Sequence, residues 1–80
     1  MERKDIIGKM EEIFTDIMDL KDIKLTDETS AEDIEEWDSL SHIQIVVALE
    51  KAYGIKFSSQ EMIAWKNVGD IIDCILNKTK

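Results

Sequence analysis

The sequence predicts an all-α fold: a small antiparallel four-helix bundle with three longer helices and one short one. Three observations carry this. Apolar residues recur at helical spacing in three separate stretches. Each predicted start after the first has a capping residue in front of it. No stretch shows the strict apolar–polar alternation of a half-buried strand, and the chain has no proline.

The first helix spans about residues 4–20. Ile6, Met10, Ile13, Ile17 and Leu20 recur at spacings of three and four, and Ile7, Phe14 and Met18 widen the stripe. Gly8 weakens this helix without breaking it. Residues 21–37 lack periodicity and read as a long loop, pinned to the core by Ile23, Leu25, Ile34 and Trp37. The second helix runs about 39–53, with Asp38 as N-cap and Gly54 as stop signal. Its β-branched run Ile43 to Val47 resembles a strand, but its length, its missing alternation and the following Ala48-Leu49-Glu50-Lys51-Ala52 favour helix. Leu40, Ile43, Val47 and also Val46 are expected to face inward. Ser58 and Glu61 fit a capping box opening a short helix through Met62-Ile63-Ala64. Asn67 caps a last helix, about 68–78, with Val68, Ile71, Ile72, Ile75 and Leu76 as its buried stripe.

Eighty residues suffice for one domain, 1–80, near the lower limit for a self-sufficient core. A net charge of -8 and the lack of a basic patch oppose binding to nucleic acid. No stretch approaches the roughly 20 apolar residues of a membrane span, and nothing at the N-terminus reads as a signal peptide. With one cysteine, a reducing cytoplasm is the expected location, and a monomer the expected state. The charge is concentrated: Asp27, Glu28, Glu32, Asp33, Glu35, Glu36 and Asp38 precede the second helix with no base among them. This is a solvated loop, a negative surface that steers basic partners, or both. It fails as an EF-hand calcium loop, because the sixth and twelfth positions from Asp27 are Glu32 and Asp38 where the pattern needs glycine and glutamate. No metal site is expected.

Ser39 opens the second helix, where free N–H groups and the macrodipole favour an anion. The site suits a phosphate ester better than a nucleophile, since no base or oxyanion pocket is evident. Asp38, Ser39 and His42 do not read as a hydrolytic triad: no Gly-x-Ser-x-Gly turn is present, and so small a bundle offers little room for a substrate pocket. Trp37 and Trp65 read as core or rim packing, Cys74 as a buried inert thiol, and Met10, Met18 and Met62 as adaptable filler.

The segment Ile34-Glu35-Glu36-Trp37-Asp38-Ser39-Leu40 through Leu49-Glu50 resembles the modification site of acyl carrier proteins. The likeness continues at Tyr53-Gly54-Ile55-Lys56-Phe57 and Asn67-Val68-Gly69-Asp70-Ile71-Ile72, and more weakly over residues 1–25. The resemblance implies a free-standing carrier with no catalytic residues, on which 4'-phosphopantetheine is esterified to Ser39 and holds acyl cargo as a thioester. It implies as partners a phosphopantetheinyl transferase and the acyl-loading and acyl-transferring enzymes of fatty acid, polyketide or related biosynthesis. Docking would use Asp38, Leu40, Glu35, Glu36, His42 and Ile43, with His42 at the surface, and the core would shelter an acyl chain. Fatty-acid-synthesis members usually carry acids two and five positions after the serine, where this chain has Ser41 and Gln44. Acids at both positions are expected to be tolerated by the fold. An aminoacyl or peptidyl carrier is an alternative, although Trp37-Asp38-Ser39-Leu40 lacks the Gly-Gly-x-Ser form common in peptidyl carriers. From another class, an unmodified acidic helical interaction module would use Ser39 as a cap only.

Overall fold

The computed structural model describes residues 2–21 and 23–79. Four helices form among them: α1 (Arg3–Met18), α2 (Ser39–Tyr53), α3 (Ser59–Ala64) and α4 (Val68–Lys78). Helix α1 packs against both α2 and α4. It buries Ile6, Met10, Ile13, Phe14 and Met18. It stops two residues short of the expected end because Asp19 takes a left-handed conformation, φ 52° and ψ 46°, which an aspartate tolerates better than most residues. Leu20 therefore lies beyond the helix, half-buried.

Helix α2 has the expected bounds but the opposite inward face. Leu40, Ile43 and Val47 were expected in the core and are 67%, 60% and 43% exposed. Val46 is buried as expected, and Ser41, Ile45 and Leu49 are buried with it in place of the other three. The cap decides this. Ser41 is turned inward by reciprocal hydrogen bonds with Asp38, and residues four and eight positions on, Ile45 and Leu49, follow it by helical period. Leu40, Ile43 and Val47 then fall on the far side. Apolar residues on both faces hide this choice from a periodicity argument. Gly54 ends α2 at φ 64°, its N–H donating to Glu50 O. Helix α3 opens on the expected capping box of Ser58 and Glu61. Helix α4 opens on Asn67, whose side chain accepts from Asp70 N at 3.0 Å. It buries Val68, Gly69, Ile71, Ile72 and Ile75, while Leu76 is only partly buried.

The loop before α2 is held at defined points. Leu25 and Trp37 are buried, and Ile23 and Ile34 pack partly against the core. Leu25 N donates to the Glu11 carboxylate at 2.9 Å. Thr29 O accepts from Val68 N at 2.7 Å and Asp27 O from Gly69 N at 2.9 Å, so loop carbonyls satisfy two of the free N–H groups of α4. The Arg3 guanidinium joins Asp27 to Asp73, tying α1, the loop and α4 together. The acidic loop thus has partners for part of its charge.

Candidate functional site

The structure builds the start of α2 around one reciprocal cap. Asp38 Oδ1 accepts from Ser41 N at 2.9 Å, and Ser41 Oγ accepts from Asp38 N at 2.8 Å. The Ser41 hydroxyl proton is directed at Glu36 O and Asp38 Oδ1, each at 3.0 Å. These bonds, the Ser41 backbone N–H first, hold the Asp38 carboxyl below its ordinary range, so it is ionised at neutral pH beside the positive end of the helix. Sequence reasoning recognised Asp38 as the cap but not Ser41 as its counterpart. The signal was present, since Asp38-x-x-Ser41 has the spacing of a capping box. A carboxylate at position 41 could still accept from Asp38 N, as the acid of a capping box does, but it would lose the hydroxyl's donation to Glu36 O and would face the Asp38 carboxylate. Gln44 is exposed and its replacement meets no such obstacle.

Ser39 lies between these two locked residues, exposed in the first turn of α2. Because Ser41 completes the cap, no group among the described residues needs the Ser39 hydroxyl, which is free for chemistry. Ser39 and Asp38 share a shallow groove of about 480 Å³ with Ala31, Trp37, His42 and Ile43. Glu35, Glu36, Asp38, Leu40 and Ile43 are all exposed around this end of α2. A group attached to Ser39 would project into solvent over an acidic rim and an apolar helix face.

His42 is half-buried, where an open surface position was expected. Trp37 Nε1 donates to its Nδ1 at 3.1 Å, and the two rings stack with centroids 6.0 Å apart. Its other neighbour is Trp65, edge-on at 6.0 Å and 72°. Burial lowers its pKa, so the neutral ring with its proton on Nε2 is the form at pH 7. With Nδ1 bonded to an indole rather than a carboxylate, the arrangement is not a serine–histidine–aspartate relay. Trp65 had no local signal linking it to His42, because a turn, a helix and a second turn separate them.

The Cys74 thiol is half-buried, donates to Glu61 at 3.4 Å and is shifted upward by burial, so it stays protonated. Among the described residues no cluster of side chains is placed to hold a metal ion, and no helix is long and apolar enough to cross a membrane.

The chain is similar to known proteins in both sequence and fold. The family model described as a phosphopantetheine attachment site matches residues 9–75. The chain is similar to the acyl carrier protein of Acidothermus cellulolyticus, at 30% identity over 99% of this chain and 94% of the relative. It is similar to that of Thermosynechococcus vestitus at 33% identity over 98% of this chain and 96% of the relative. The fold is similar to the solution structure of a holo acyl carrier protein from Geobacter metallireducens, with a TM-score of 0.83 and 46% identity over 90% of this chain and 83% of that one.

Proposed function

We propose that this chain, which belongs to the acyl carrier protein family, holds its 4'-phosphopantetheine on Ser39. It is a carrier that works with biosynthetic enzymes, not an enzyme itself. When bound, the group supplies a terminal thiol that holds acyl cargo as a thioester.

One observation carries the choice of serine. Ser39 is exposed at the first position of α2 with its hydroxyl outside the cap, whereas Ser41 is buried and fully bonded. A phosphopantetheinyl transferase would use the Ser39 oxygen to form the phosphoester, with the base that takes its proton and any metal on the transferase. The Asp38 carboxylate and Ser41 fix the backbone on either side of Ser39, which keeps its side chain at the exposed start of α2.

The partner enzymes would meet the exposed Leu40 and Ile43, with Glu35, Glu36 and Asp38 as an acidic rim that speeds encounter with basic surfaces. His42 would contribute its edge in the groove. The described residues share one apolar core, which supports reading 1–80 as a single carrier unit; we take that unit to act as a monomer. A thiol-bearing arm suits a reducing compartment, so we place the protein in the cytoplasm. Fatty acid, polyketide or related biosynthesis is the pathway class this reading supports.

Incubation with a broad-specificity transferase, magnesium and coenzyme A tests the assignment. The native chain should gain the mass of one phosphopantetheine. Ser39→Ala should gain none while keeping its helical circular dichroism. A full gain in Ser39→Ala would place the attachment elsewhere.

A further inference from the structure

The groove beside Ser39 adjoins a second, smaller space. It shares Ala31, Trp37 and His42 with a narrower cleft of about 80 Å³, whose remaining lining includes Trp65, Asn67 and Ile71. The route from Ser39 toward the bundle therefore passes between Trp37, His42 and Trp65. These three rings are held together and anchored on both sides. Trp37 donates to His42 and meets Phe14 edge-on at 4.9 Å; Trp65 meets His42 and, at 4.9 Å, Phe57. Phe14 is fully buried and Phe57 is 8% exposed, so neither anchor can move without disturbing the core. Ile71, which lines the cleft, is 1% exposed, and Ile45, Leu49 and Ile72 of the core are fully buried.

An apolar cavity of roughly 150 Å³ accommodates benzene. The cleft offers about half of that. A long alkyl chain entering here would have to separate Trp37 from His42. That would leave the indole N–H of a buried tryptophan without its acceptor.

We propose that the Trp37–His42–Trp65 stack is a cargo filter that keeps long saturated acyl chains out of the bundle, so that the carrier serves short acyl groups or cargo handled at the surface. The proposal rests on Ser39 as the attachment site, because the filter acts on cargo tethered there. It replaces the expectation of a sheltering core with a specific barrier, and it names Trp65 as the residue that closes it. Trp65 contacts no reacting atom; it acts by holding His42 against Trp37.

The test uses the full chain loaded from butyryl, octanoyl and dodecanoyl coenzyme A, with peptide mapping of the loaded position. Two readouts follow, thioester half-life in neutral hydroxylamine and melting temperature. In the native chain both should be independent of chain length, with half-lives agreeing within about twofold. In Trp65→Ala the dodecanoyl thioester should last about fivefold longer than the butyryl one, as it would if the chain were buried some four-fifths of the time. Its melting temperature should rise on loading. Should Trp65→Ala fail to fold, Trp65→Leu keeps an apolar contact for Phe57 while removing the ring edge at His42. Protection of dodecanoyl over butyryl in the native chain would overturn the proposal, as would equal half-lives in a folded Trp65 variant. Loading at a residue other than Ser39, or no loading, would overturn the attachment site instead, and would be seen in the mass before any hydrolysis is measured.

Discussion

Replacing Ser41 by alanine tests whether the cap, rather than the apolar pattern, orients α2. Ser41 is 7% exposed; its hydroxyl accepts from Asp38 N at 2.8 Å and donates toward Glu36 O and Asp38 Oδ1 at 3.0 Å. In alanine the bond from Ser41 N to the Asp38 side chain survives, so half of the cap remains. Losing the two hydroxyl bonds costs about 2 kcal/mol at about 1 kcal/mol each. Alanine's better helix propensity returns about 0.5 kcal/mol. The net loss is about 1.5 kcal/mol, which in a domain of this size lowers Tm by roughly 6–12 °C. Thermal unfolding followed at 222 nm measures it, with the exposed Gln44→Glu as control, expected within about 0.5 kcal/mol of the parent. Ser41→Asp should fall further than Ser41→Ala at neutral pH, because its carboxylate faces that of Asp38. If Ser41→Ala and Gln44→Glu melt together within error, the cap does not set the face of α2 and the argument from Ser41 is wrong.

Three further outcomes are expected. Glu61 is depressed from 4.5 to about 2, chiefly by the Ser58 backbone N–H and then by Lys78, so its contribution is present above pH 4.5 and lost as pH falls toward 2; an acid titration of Tm should be shallower in that window for Glu61→Gln than for the parent. His42 is depressed below 6.5 by burial, so the unfolded chain takes the proton first and stability declines as pH drops below 6.5; tryptophan emission and Tm between pH 7.5 and 5.5 should show this decline, and His42→Gln should flatten it. Gly69→Ala would gain about 1 kcal/mol of helix propensity, but its Cβ would lie 2.9 Å from Asp27 O and 3.1 Å from Asp27 Cβ, an overpacking that costs about 1–3 kcal/mol and also disturbs two loop bonds of about 1 kcal/mol each; chemical denaturation should show a net loss of about 2–4 kcal/mol if both bonds are lost, and a stabilised variant would refute the close approach.

Element starts were legible because caps are local chemistry. Asp38, the Ser58–Glu61 pair and Asn67 each announce a helix within three or four residues, and all three do so in the structure. The end of α1 was less legible: Leu20 continues the apolar period, while the stop is a left-handed Asp19 without a glycine to mark it. The face of α2 was misjudged because its outer stripe, Leu40, Ile43 and Val47, is as apolar as its inner one, and the residue that breaks the tie is a buried serine. At the site, the exposure of Ser39 followed from its first-turn position. The setting of His42 did not, since Trp37 and Trp65 arrive from a loop and from the turn after α3, and only tertiary packing brings them to one ring.

The two backbone bonds from Val68 and Gly69 to the loop carry a consequence for assembly. Their partners lie roughly forty residues apart along the chain, so forming them costs the closure entropy of a long loop. First-turn amides ordinarily exchange quickly with solvent because no carbonyl of their own helix reaches them. Here Thr29 and Asp27 cover them. Slow deuterium uptake at these two positions therefore times the detachment of the loop that leads to Ser39, separately from the exchange of Ile71, Ile72 and Ile75, whose release requires the core itself to open. One spectrum of the native protein holds both clocks.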